Sequence, residues 1–363
     1  MTTNRVYNFS AGPSMLPLEV LEKAGSEITN YGGSGMSVME MSHRSKVFLD
    51  IFEEVKADVK RLLKVPDNYH ILFLQGGATL QFAMAPMNLM GRTGKADYAI
   101  TGNFSKLAYK EGVKYGTCNI AATTEAANHT YIPSQSELKL DKDASYFYYC
   151  ANNTIYGTEW KYVPDTGDVP IVCDMSSNIM SKPIDVSKYG IIFAGAQKNL
   201  GPAGVTLVIV RDDLIGNELP YTPVLMSYKT MVEKDSMHNT PPCYCIYMLG
   251  LVLKWIDSKG GLEAMEKLRA ERAKILYDFL EESELFKSPV RPDSRSEMNI
   301  PFVTGDKELD KQFVKEAEEH GLVNLAGHRT VGGMRASIYN AMPIEGVRAL
   351  VEFMKEFERK NKK

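Results

Sequence analysis

Short, continuous apolar runs alternate with stretches of helical periodicity from Ile71 to Val210, and this alternation constrains the fold more than any other feature of the chain. Ile71–Leu74, Asp97–Thr101, Ser145–Cys150, Pro170–Cys173, Ile191–Ala194 and Val205–Val210 each read as a strand. Runs with no polar alternation belong to strands buried on both faces, as in a mostly parallel sheet. The interspersed segments supply the covering layers. Val47 to Leu63, for example, repeats its apolar residues at spacings of three and four. The expected architecture is therefore α/β, a mostly parallel sheet with helices on both faces.

The texture changes after Gly260–Gly261. Leu262 to Leu280 is a long charged helix with apolar positions at Met265, Leu268, Ile275, Leu276 and Phe279. Strand-like pieces at Ser296–Val303 and Met334–Ile338 follow, with helices at Asp306–His320 and Ile344–Arg359. That pattern suits a small α/β domain, and a chain of 363 residues is long enough for two domains. The basic tail Arg359–Lys363 is expected to fray.

A net charge of −3 argues against nucleic acid as a general partner, since polyanion surfaces demand a basic excess. The most apolar stretch, Tyr244–Leu253, is halved in usefulness as a span by Lys254 and reads as a buried helix rather than a membrane segment. Met1–Asn8 carries no apolar leader. Five cysteines lack CxxC spacing, and Cys243 and Cys245 find no matching pair of ligands elsewhere, so no metal site is expected. The plain expectation is a reduced, cytoplasmic protein.

Lys198 is the residue on which chemistry is expected. It follows the run Ile191–Ala194 in a turn rich in Gly, Ala and Asn, and open α/β sheets bind ligands beyond the carboxyl ends of their strands. A desolvated lysine there can condense with an aldehyde, whereas the bland alternative is an ordinary tight turn. Asp174 closes the preceding run, one strand earlier. It suits the acidic partner that the pyridinium nitrogen of pyridoxal phosphate needs, although Met-Ser-Ser after it also fits a helix N-cap. Leu74–Gln81 offers a glycine turn and a helix start for the phosphate. Two His-Arg pairs, His43–Arg44 and His328–Arg329, together with Arg335, suggest a substrate with more than one negative group, though either pair alone reads equally well as solvated surface.

Tyr7–Pro13, Met41–Arg44, Gly76–Thr79, Asn152–Ile155, Asp174–Ser177, Ala196–Asn199 and Arg335–Asn340 together resemble the class V aminotransferases, and most closely their branch acting on a phosphorylated keto acid. The resemblance implies the aspartate-aminotransferase-like (type I) PLP-dependent fold. Its large domain, residues 16–262, would carry a mostly parallel seven-stranded sheet, and residues 263–363 would form the small domain. Residues 1–15 would pack near the small domain and the active site. The resemblance also implies a homodimer with shared active sites, with pyridoxal 5'-phosphate held by Lys198 and its ring nitrogen by Asp174. Ala78, Thr79 and Gln197 would contact the phosphate, Thr154 the phenolic oxygen, and Asn239 and Thr240 the phosphate of the other subunit. Arg335 would grip the substrate's α-carboxylate, and His43 and Arg44 would join His328 and Arg329 of the partner subunit in a distal anion site.

Two positions depart from common members. Phe104 stands where many stack a tryptophan on the ring, and Thr79 where some carry an arginine. The expected reaction is reversible transamination between L-glutamate and 3-phosphohydroxypyruvate, giving 2-oxoglutarate and O-phospho-L-serine for serine biosynthesis. The residues leave open a second, phosphohydroxythreonine-forming role in pyridoxine biosynthesis. The alternative is another class V enzyme, such as a different aminotransferase or a desulfurase. The latter needs an activated cysteine, and Cys173 is expected to be buried at a strand end. No GxGxxG or P-loop spacing supports a nucleotide-binding protein.

Overall fold

A computed structural model describes residues 5–361, so Lys362 and Lys363 of the expected frayed tail lie outside the described residues. Seven strands form the main sheet, in the spatial order Tyr69–Leu74, Thr206–Arg211, Ile191–Gly195, Ile171–Asp174, Phe147–Cys150, Lys95–Ile100 and Thr117–Thr123. Thr206–Arg211 runs antiparallel to both neighbours, and the other pairings are parallel. Six of these strands coincide with apolar runs in the sequence, shifted by one or two residues. The seventh, Thr117–Thr123, is an edge strand with mostly exposed or half-exposed side chains, so it has no apolar run to announce it.

Successive side chains of the strands go to opposite faces, and each face is covered. Phe73, Tyr149, Cys173, Ile192 and Leu207 pack with the helices Lys46–Leu63 and Cys243–Ser258. Their neighbours Leu72, Tyr148, Val172, Phe193 and Val208 pack on the other side with the helix Gly77–Leu89. Burying both faces explains why the runs show no polar alternation. Cys243–Ser258 is the helix expected around Tyr244–Leu253, and among the described residues no helix is long and apolar enough to cross a membrane.

A separate core lies beyond the sheet. It unites Ile300, Phe302, Phe313, Met334 and Phe357, from the antiparallel pair Asn299–Phe302 and Met334–Ser337 and the helices Lys307–Glu319 and Ile344–Asn361, with Phe286 of the loop after Glu282. The long helix Gly261–Glu282 joins the two regions, with Leu262 and Met265 in the sheet's core and Leu276 and Leu280 in the second. Phe9 is buried in the second core, and Tyr7 and Asn8 pair with Leu322 and Val323.

An ion cluster braces the junction. Arg269 Nη2 lies 2.8 and 2.9 Å from the two carboxylate oxygens of Glu159, and its Nε lies 2.5 Å from Glu297. Burial alone would raise the pKa of Glu159, but Arg269, Lys161 and Lys182 overcome it and hold the carboxyl at about 2. Glu159 belongs to the two-stranded ribbon Asn152–Asn153 with Thr158–Glu159, so the brace also fixes the turn carrying Thr154.

Candidate active site

Parallel strands bring their carboxyl ends to one side of a sheet, and five of them do so here. The chain leaving Leu74 reaches Ala78 and Thr79. The chain leaving Ile100 reaches Phe104, and Cys150 leads to Thr154. Asp174 leads to Ser176 and Ser177, and Gly195 leads to Gln197 and Lys198. All these residues line one cavity of about 380 Å³, together with Ala11, Gly12, His328 and Arg335.

Lys198 is buried in that cavity. Its Nζ donates at 2.8 Å to Thr154 Oγ1 and at 2.8 Å to Ser177 Oγ, and those two oxygens are 2.5 Å apart. The turn behind it is closed by Gly201 N–H on Ala196 O at 2.8 Å and by Ser14 Oγ–H on Lys198 O at 2.6 Å. Gly12 supplies φ 140°, a backbone conformation that other residues rarely adopt, where the N-terminal segment passes Lys198. The Phe104 ring centroid is 5.7 Å from Nζ.

Asp174 ends its strand in register with Cys150 and Phe193, one strand from the lysine's own. Burial raises its pKa, against the hydrogen bonds of Ser176 and the charge of Lys198. The N-cap alternative fails because turns, not a helix, follow. Its Oδ1 instead accepts Ser176 N–H at 2.9 Å, a local Asx-type bond.

Ala78 and Thr79 sit in the first turn of the helix Gly77–Leu89, entered through Gly76 at φ 89°. The first N–H groups of a helix lack intrahelical partners and carry the positive end of its dipole. Arg335 rises from Met334–Ser337, with Nη1 3.3 Å from Thr154 O and a buried Nε that has no partner among the described residues. Burial lowers its pKa, with Tyr339 working against the shift.

At the rim, His328 lines the cavity of its own chain, and Arg329 is exposed beside it. The cause is local: Ala326 bridges to Met334, so the loop is anchored on the strand that carries Arg335. Burial, Arg335 and Arg329 all lower the pKa of His328. His43, Arg44, Asn239 and Thr240 do not reach this cavity. Arg44, Asn239 and Thr240 are exposed and His43 is half-buried, while Thr240 O accepts Gln75 Nε2–H at 2.9 Å.

Sequence reasoning assigned no role to Ser177, although it follows Asp174 by three residues at the end of a strand. It also missed Ser176, whose Oγ accepts Gly195 N–H at 3.1 Å and ties the two neighbouring strand ends together. All five thiols are free, and burial raises the pKa of each.

The model of the aminotransferase class-V family matches residues 6–350. A phosphoserine aminotransferase of Laribacter hongkongensis is 53% identical over 357 residues, covering 98% of this chain and 99% of that one. The solved phosphoserine aminotransferase of Bacillus circulans subsp. alkalophilus superposes with a TM-score of 0.97 at 47% identity over 99% of both chains. The PLP-bound phosphoserine aminotransferase of Trichomonas vaginalis gives 0.93 at 43% identity, over 97% of this chain and 100% of that one. The chain belongs to the class V aminotransferases and, within them, to the phosphoserine aminotransferase family.

Proposed function

We propose that the chain catalyses reversible transamination of 3-phosphohydroxypyruvate with L-glutamate, giving O-phospho-L-serine and 2-oxoglutarate, with pyridoxal 5'-phosphate as cofactor. The observation that carries this reading is a buried amine and a buried carboxylate, Lys198 and Asp174, on adjacent strand ends in one cavity that also holds a buried arginine. The residues fit the cofactor. Asp174 is desolvated without a full ion pair, and a protonated ring nitrogen would supply its missing cation. Phe104 offers a ring face, and the open start of Gly77–Leu89 suits a phosphate.

When bound, the cofactor supplies an aldehyde to take up the amino group and a ring to withdraw the electron pair of the Cα–H bond. Lys198 Nζ holds the cofactor and, once freed, takes the proton from substrate Cα. Thr154 and Ser177 accept hydrogen bonds from Nζ and so fix where it stands. Ala78, Thr79 and Gln197 hold the phosphate. Arg335, which lines the cavity, binds the α-carboxylate. His328 and Arg329 form one part of the distal anion site.

The remaining cations come from a second copy. His43, Arg44, Asn239 and Thr240 lie away from the cavity of their own chain, and Met36 and Met39, just before His43, are 42% and 60% exposed. Such apolar exposure on a surface supports an interface between two copies. In this dimer His43 and Arg44 complete the partner's anion site, and Asn239 and Thr240 its phosphate site. Residues 16–262 act as the cofactor-binding domain and residues 263–363 as the small domain, with residues 5–15 of the N-terminal segment laid against the small domain and the site. The raised thiol pKa values oppose a desulfurase, whose nucleophile needs thiolate character.

The test is a coupled assay with glutamate and four acceptors: 3-phosphohydroxypyruvate, oxaloacetate, pyruvate and glyoxylate. The phosphorylated acceptor is expected to have the highest kcat/KM. A higher value for any unphosphorylated acceptor overturns the assignment.

A further inference from the structure

The strand pair Asn299–Phe302 and Met334–Ser337 has two unlike faces. Ile300, Phe302, Met334 and Ala336 lie in the second core. Asn299, Pro301, Arg335 and Ser337 alternate with them and take the opposite face, Asn299 across from Ser337 and Pro301 across from Arg335. This second face meets the turn at residues 153–157, which carries Thr154. The approach is close: a Cβ on Gly157 would fall 2.2 Å from Pro301 Cδ and 2.8 Å from Asn299 O.

Asn299 is fully buried, and its amide joins three segments. Oδ1 accepts Asn152 Nδ2–H at 2.8 Å, from the ribbon that leads into the Thr154 turn. Nδ2 donates at 3.0 Å to Ser337 Oγ, on the strand of Arg335, and at 3.0 Å to Tyr339 Oη. Tyr339 Oη–H in turn donates at 2.7 Å to Ala11 O, in the N-terminal segment. Asn152 Oδ1 accepts Ser296 Oγ–H at 2.5 Å, and that hydroxyl oxygen accepts Asn299 N–H at 3.0 Å. Both amide donors and the amide oxygen of Asn299 are used, and the bonds through Asn152 and Ser296 close a ring.

Ala11, Thr154 and Arg335 line the active-site cavity, one from each segment that this amide ties, while Asn299 stands outside the lining. Arg335 meets the Thr154 turn directly by one long bond, Nη1 to Thr154 O at 3.3 Å. Where its guanidinium stands therefore depends on how the strand beneath it is held. Apolar contacts at this junction would join the segments without fixing their register, because they are non-directional. Directional bonds from one buried amide to three segments allow a single arrangement.

We infer that Asn299 is a positioning residue for substrate binding: its amide fixes Arg335 against the Thr154 turn, and so sets the α-carboxylate relative to Lys198 Nζ. This rests on the reading of Arg335 as the group that binds the α-carboxylate. Arg335→Ala, Asn299→Leu and the double variant are compared for kcat/KM with L-glutamate and with O-phospho-L-serine, which share that carboxylate. Asn299→Leu is expected to lower both values by roughly ten- to a hundredfold, since a small displacement of a binding group suffices for that. In the Arg335→Ala background the same substitution should cost less than about threefold, because the group it positions is gone. The rate at which the holoenzyme releases its cofactor on dilution, read from the visible absorbance, should be unchanged. Ser337→Ala removes one acceptor of the amide and should repeat the pattern at about two- to tenfold, which keeps the test open where Asn299→Leu does not fold. An unaltered kcat/KM in Arg335→Ala would sink the reading of Arg335 and the inference with it. A large loss in Arg335→Ala, with losses that multiply in the double variant, would overturn the inference alone. So would a faster cofactor release in step with the fall in kcat/KM, which marks a general loosening of the fold.

Discussion

At the floor of the active-site cavity, Lys198 Nζ holds two hydroxyls of its own chain, and Asp174 lies one strand away with a backbone N–H on its carboxylate. At the rim, Arg335 Nε has no partner among the described residues, and His43, Arg44, Asn239 and Thr240 lie off the cavity altogether. The floor is thus assembled by one chain folding, because the sheet brings five strand ends together. The rim contains groups whose proposed targets are in another molecule. Chemistry at the floor and recognition at the rim should therefore respond differently to substitution.

Lys198→Ala should show the largest effect. It removes the group that moves the Cα proton, and kcat should fall by about 10²–10⁴-fold or more. Borohydride should also no longer fix the cofactor covalently to the chain, since no lysine remains to be reduced onto it. Turnover within a few fold of the unaltered enzyme would show that the floor is not where the reaction runs.

Arg44→Ala tests the other side of the comparison. It should raise KM for the phosphorylated acceptor by roughly ten- to a hundredfold, with a much smaller change in kcat. A mixing experiment decides whether the residue acts across an interface. In a twofold dimer with shared sites, a mixed dimer of Lys198→Ala and Arg44→Ala has one site with both residues intact. Random reassembly of an equal mixture should recover about a quarter of the unaltered activity at low substrate, since half the dimers are mixed and each has one good site. Recovery no greater than the sum of the two variants alone would place Arg44 outside the partner's site.

The two regions also differed in how far the sequence revealed them. Lys198 and Asp174 were legible because each follows an apolar run buried on both faces, and such runs mark strand ends plainly. The apolar helix around Tyr244–Leu253 and the charged helix after Gly261 were legible for the same reason: burial imposes a pattern. Thr117–Thr123 was not, because an edge strand faces solvent and need not be apolar. The ribbon Asn152–Asn153 with Thr158–Glu159 was not, because it is held by side-chain amides and the Glu159–Arg269 brace rather than by periodicity. Thr154 therefore rested on resemblance alone. At the rim, no such pattern exists: His43–Arg44 and His328–Arg329 are short polar pairs that burial does not mark. The bridge of Ala326 to Met334 anchors the loop that sets His328 in the lining of the cavity.

Ser177→Ala is the finest probe of the floor, because Lys198 would keep Thr154 as a second acceptor. Removing one hydrogen bond in a buried network of three polar groups is expected to lower kcat by about two- to tenfold, with KM for either substrate little changed. Thr154→Ala should behave alike if the two hydroxyls act only as props for Nζ. The double variant should then lose more than the product of the two single effects, because the amine would have neither acceptor. Strict multiplicativity would mean that each hydroxyl acts independently of the lysine. The floor would then be a set of separate contacts, and its contrast with the rim would no longer rest on a connected network.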